Sequence, residues 1–170
     1  MRNILILLFL ISLCSYVKAE VKIKVEIKGD VKSVARIQSI LPKLEKVLNS
    51  KELKDRLLKV TFTTTKLSNA EIVKKLLEGE WALKLEFKRQ VNWRGKCNVL
   101  GWTYPSTQTI WINSCGFEAR SDAGIAGTLA HEFSHKLGFD HKNARDLMSV
   151  PYSFGNVVSE IYEKTYGKEK

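Results

Sequence analysis

All three histidines of this chain lie within eleven residues, HEFSHKLGFDH, from His131 to His141. His131 and His135 are four apart, so on a helix they share a face one turn apart. Two imidazoles placed in this way can bind one metal ion, and zinc favours nitrogen ligands. A catalytic zinc also needs a third protein ligand and a fourth position open to water. Gly138 can adopt the left-handed conformation that ends a helix and turns the chain. His141, three residues on, can then swing back as the third ligand. Glu132 stands next to the first ligand, where it can accept a proton from metal-activated water. The expectation is one catalytic Zn2+ on His131, His135 and His141, with Glu132 as general base. Chance competes poorly, since H-E-x-x-H alone arises in fewer than about one chain in a hundred of this length.

The helix that must carry these residues is read over residues 122–137. Ile125, Leu129, Phe133 and Leu137 recur every four residues as an apolar ridge. The histidines sit two residues off that ridge and share their face with Gly124 and Thr128, which do not form cores. That placement points them across a cleft instead of into a core. Upstream, Val21, Ile23, Val25 and Ile27 alternate with charged residues as a half-buried strand. Gly29-Asp30 turns the chain, and Val34, Ile37, Leu41, Leu44 and Leu48 mark an amphipathic helix. Pro42 should kink that helix or delay its start. Residues 59–65, KVTFTTT, read as a second strand. Ser68-Asn69-Ala70-Glu71 is a capping box before a short helix with Ile72, Val73, Leu76 and Leu77 turned inward. Residues 81–87 alternate as a third strand. Residues 98–104 and 109–113 flank Pro105-Ser106-Thr107-Gln108 as a hairpin-like pair. A last helix is expected over residues 156–166, with Val158, Ile161 and Tyr162 on one face. Five strands and these helices imply an α+β sandwich.

The string H-E-x-x-H-x-x-G-x-x-H, with Met148 seven residues past His141, resembles the metzincin zinc endopeptidases. The resemblance implies a zincin-like domain over residues 20–170: a five-stranded mixed twisted sheet with an antiparallel edge strand, an active-site helix, a methionine turn and a C-terminal helix. It implies that Met148 lies beneath the three imidazoles as a hydrophobic base and not as a ligand. By the same likeness, residues 98–104 would be the edge strand that pairs with an extended protein or peptide substrate. Pro151 and Tyr152 would help to bound the pocket beyond the cleaved bond. The chain departs from the family pattern in three places. Ser134 stands where matrixin-type sequences usually carry glycine. Val150 replaces the tyrosine of astacin- and serralysin-like proteins, while Tyr152 lies closer to the matrixin pattern and is not expected to be a ligand. No pro-segment separates the leader from the first strand, and no spare cysteine could cap the zinc, so any latency would have another source. The implied activity is peptide-bond hydrolysis, falling at acid pH where the imidazoles protonate.

The ends and the composition bound where such a protein works. Arg2, an apolar run over residues 4–13 and Val17-Lys18-Ala19 have the layout of a secretory signal peptide over residues 1–19. The run is too short to span a bilayer, so no stable membrane insertion is expected after cleavage. The destination is secreted or periplasmic. Removing the leader takes Cys14 with it and leaves Cys97 and Cys115, which predicts one disulfide in an oxidising compartment. Residues 20–170 suit one domain, expected as a monomer. With 28 Lys and Arg against 18 Asp and Glu, the net charge is +10. Lysines spread along the chain without the aromatic alternation of a single-strand nucleic-acid binder, so no nucleic-acid partner is expected. Such a surface also suits anionic envelope polymers or acidic substrates. One rival reading is a non-catalytic, zinc-bound module of the cell envelope, which would need the histidines but not Glu132. Another is a basic toxin-like or inhibitor protein, which would need neither. A serine triad is disfavoured because every histidine belongs to one cluster.

Overall fold

The computed structural model describes residues 20–63, 65–143 and 146–167. The signal peptide read over residues 1–19 lies outside them. The first strand forms as its alternation predicts: β1, Lys22–Lys28, is half-buried at every second residue. Asp30 caps helix α1, Val31–Leu48, by accepting from the Ser33 backbone N–H. Pro42 sits within this helix and neither stops it nor delays its start. The carbonyl it leaves without an intrahelical partner is that of Gln38, on the exposed side of the helix where water can reach it.

A short helix, α2 (Lys51–Leu57), follows directly. Its signals were Ser50, which caps it, and the four-residue spacing of Leu53 and Leu57, both fully buried. The strand expected at residues 59–65 does not form. Its backbone groups have other partners: the Asn69 side chain donates to the Leu58 and Val60 carbonyls at 2.9 and 2.7 Å. The Val60 N–H returns to Leu57, and the Thr63 N–H reaches the Met148 carbonyl. Thr64, inside this stretch, lies outside the described residues. The sheet consequently has four described strands, not five. β-branched composition favours a strand only where a neighbouring edge offers hydrogen bonds.

Helix α3, Asn69–Leu77, carries the complete capping box between Ser68 and Glu71. Strands β2 (Glu80–Lys88), β3 (Gly101–Thr103) and β4 (Thr109–Asn113) complete the sheet. Its order is β1-β2-β4-β3, with β1, β2 and β4 parallel and β3 antiparallel at one edge. The disulfide between Cys97 and Cys115, with Cα atoms 5.6 Å apart, closes the segment before β3 onto the end of β4. Buried Asn113 braces the same place, donating to the carbonyls of Gln90 and Val99 and accepting from the Gln90 and Cys115 N–H groups.

Helix α4, Asp122–Lys136, and helix α5, Val150–Tyr166, pack against each other and the sheet. The expected ridge of α4 is its core face, with Ile125, Leu129 and Phe133 buried and Leu137 partly so. Trp81 of β2 stacks on Phe133, ring centroids 3.9 Å apart. Helix α5 begins six residues earlier than the apolar spacing suggested, at Val150 after the cap position Ser149, with Pro151 in its first turn. Proline needs no N–H partner in that turn. The molecule is α+β, and no described helix is long and apolar enough to cross a membrane.

Helices α4 and α5 touch through backbone. A Cβ on Gly127 would lie 2.7 Å from the Gly155 carbonyl oxygen, and one on Gly155 would lie 2.8 Å from that of Gly127. Gly127→Ala should therefore cost about 1–3 kcal/mol in urea unfolding, and Gly155→Ala a similar amount. The double variant should cost less than the sum, because one forced separation relieves both clashes. Additive costs would show that the glycines act at separate contacts.

Candidate metal centre

Ser121 starts the histidine helix by accepting from the Gly124 N–H at 3.1 Å. Arg36 of α1 anchors the same end, donating to Asp122 at 2.9 Å and to the carbonyls of Phe117 and Arg120. At the other end Gly138 takes φ 83°, the left-handed turn expected of it. The Phe139 N–H then bonds back to the Ser134 carbonyl. These two ends set the direction of α4 and return the chain so that His141 faces His131 and His135.

The three imidazoles meet. One ring nitrogen from each of His131, His135 and His141 lies within 4.8 Å of the other two, close enough to hold one metal ion. The ring of His135 is oriented by its Nδ1 hydrogen bond to the Phe139 carbonyl at 2.8 Å, leaving its other nitrogen free. The Pro151 carbonyl accepts from His131. Backbone carbonyls of this kind commonly orient metal-binding histidines. Nδ1 of His141 is buried without a hydrogen-bond partner, and a metal ion is one partner that satisfies such a nitrogen. The donor set and this orphaned atom both fit a bound ion.

The histidines, Glu132, Gly124 and Thr128 line a cleft of about 780 Å3, walled by β3 on one side and α5 on the other. Glu132 is buried at 6% exposure. Burial lifts its carboxyl to about 7, against the pull of nearby Lys136. Burial also pushes His131 down to about 3, helped by its two neighbouring imidazoles and opposed by the Pro151 carbonyl. His135 is lowered too, first by burial. Both rings therefore stay neutral, and able to bind metal, at more acid pH than an exposed histidine would.

The resemblance placed Met148 beneath the imidazoles. It is 48% exposed and does not line the cleft. Tyr152 stands against the imidazoles, its ring centroid 4.7 Å from that of His131 and 5.0 Å from that of His141. The early start of α5 brings this about, because it carries Tyr152 onto a helix packed beside α4.

Several residues that build the site were not read from the sequence. Gly101 is the first residue of β3, and a Cβ there would lie 3.0 Å from Thr128 and 3.5 Å from Glu132. Its lack of a side chain lets the edge strand close over Glu132. Glycine inside a strand is the signal of such an approach. Lys136 ties the end of α4 to the turn after β3, donating to the Tyr104 carbonyl at 2.8 Å and to that of Thr107. Arg120 holds the other end of the strand through the Leu100 carbonyl at 2.7 Å.

No family model, curated protein or solved structure matches this chain. Its chemistry has to be read from the site itself.

The burial of Glu132 gives a measurable pH signature in the metal-free protein. Its folded pKa of about 7 exceeds the ordinary 4.5, so ionisation opposes folding as pH rises through that interval. Glu132→Gln should stabilise the metal-free chain by up to about 3 kcal/mol above the upper value. The gain should shrink below it and vanish where both states are protonated. Urea unfolding at about pH 4, 6 and 8 checks this, and a gain independent of pH would assign it to something other than the buried charge.

Proposed function

We propose that the chain is an extracytoplasmic zinc endopeptidase, of the metzincin type its histidine motif resembles, that cleaves extended polypeptide. The observation that carries this reading is the meeting of three imidazoles and a buried carboxyl group in one cleft under an edge strand. His131, His135 and His141 would hold the ion, a nitrogen donor set that suits zinc. Bound zinc would supply Lewis acidity, lowering the pKa of water towards about 7 and polarising the scissile carbonyl.

Glu132 takes the proton of the attacking water on its carboxylate and returns it to the leaving amine. That role needs a carboxyl group beside the ion's ligands, and Glu132 lines the same cleft as the three histidines. The outer edge of β3 offers backbone groups to an extended chain by strand addition. Gly101 keeps that edge close to Glu132, so a peptide laid along it would bring a bond within the base's reach. Tyr152 and Asn156 of α5 wall the opposite side. The disulfide suits an oxidising compartment.

Peptide-library cleavage read by mass spectrometry tests the proposal. Glu132→Ala should lose about 10²–10⁴-fold in cleavage rate while still binding one zinc. His131→Ala, His135→Ala and His141→Ala should each lose the metal as well. If the unmutated chain is folded and zinc-loaded but cuts nothing, the non-catalytic binding module replaces the endopeptidase.

A further inference from the structure

The segment of residues 89–97, between β2 and the disulfide, does not line the cleft, yet it is built with care. Asn92 folds its tip, accepting from the Arg94 and Lys96 N–H groups at 2.9 Å each and donating its own N–H to the Lys96 carbonyl. Gly95 takes a left-handed φ of 72° to close that turn. The Cys97–Cys115 disulfide and the buried Asn113 fasten its base. This bracing holds Trp93 outward at 86% exposure, the most exposed aromatic ring among the described large hydrophobic side chains. The guanidinium of Arg94 lies over the ring, 4.3 Å from its centroid. Lys88, Arg89, Arg94 and Lys96 flank Trp93 in the sequence, all exposed. Among the described ion pairs, none of these four cations meets a carboxylate.

We propose that the Trp93 loop is a peripheral docking point for an anionic lipid surface. A tryptophan ring partitions to the headgroup level of a bilayer, where its apolar body and its N–H are both accommodated. Lys and Arg beside it are attracted by anionic headgroups. The loop is a projecting knob, which a deformable bilayer can receive. A protein partner would need about 800 Å2 from this side, far more than one tip offers. Single-stranded nucleic acid would need a series of stacking rings, and the tip has one. The contact would be reversible and independent of whether the histidine site hydrolyses anything. Asn98 and Val99, which line the cleft, follow the disulfide directly, so docking here would hold the cleft beside the membrane surface.

Flotation of the full chain with vesicles tests this, using phosphatidylcholine alone against equal parts phosphatidylcholine and phosphatidylglycerol. Binding should require the anionic lipid and weaken with salt. Trp93→Ala should reduce it about tenfold or more, and Arg94→Gln with Lys96→Gln about fivefold per residue. Quenching of tryptophan fluorescence by brominated acyl chains should disappear in Trp93→Phe. Circular dichroism and one-to-one zinc binding confirm that each variant is folded. Equal binding to neutral vesicles, or adsorption that survives these substitutions, overturns the proposal, and this includes adsorption through the leader. A Trp93-dependent dimer in sedimentation, with no lipid binding, overturns it in favour of a second copy of the chain.

Discussion

The backbone contact between α4 and α5 at Gly127 and Gly155 is the constraint on which the site depends. Side chains normally hold helix axes 8–10 Å apart, and two facing glycines remove that spacer. His131 lies one turn beyond Gly127, and its Cβ is 3.1 Å from where a Cβ on Gly155 would be. Close packing therefore brings Tyr152 and the Pro151 carbonyl within reach of the imidazoles. A wider separation would leave His131 without its backbone acceptor and would open the cleft to bulk water.

That closeness also sets the electrostatics. Water excluded from the floor of the cleft leaves His131 and Glu132 dearer to ionise than in solution, in opposite pKa directions. Both shifts favour neutral groups, so the metal-free site avoids buried charge by holding its protons where neutrality requires. A bound cation would reverse the balance for the carboxyl group. Gly101 and Lys136 contribute to the same enclosure from the sheet side, one by letting β3 approach and the other by tying down its turn.

The edge position of β3 links the cleft to the Trp93 loop. One flank carries the cleft, and the other leads through the disulfide to the Trp93 loop. Asn113, at the end of β4, serves both by satisfying the backbone of residues 90 and 99 at once. An apolar side chain there would leave the buried Cys115 N–H unpaired, which costs more than the lost contact itself.

The sequence by itself determined what depends on near neighbours. The spacing of His131 and His135 places them on one helix face with Glu132 beside the first, Gly138 must turn, and the Ser68 box must start α3, because each rests on residues within about one turn. The pairing of Cys97 with Cys115 followed once Cys14 was assigned to the expected leader, which left two candidates. Tertiary structure decided the rest. Residues 59–65 have the composition of a strand, but distant Asn69 and Met148 take their backbone hydrogen bonds. Helix α5 starts earlier than its apolar spacing suggested and so puts Tyr152 against the imidazoles. Glycines 101, 127 and 155 look like ordinary punctuation until the partner that each admits is known. Burial, and with it the protonation of Glu132, is a sum over contacts between segments far apart in the chain, and no local pattern encodes it.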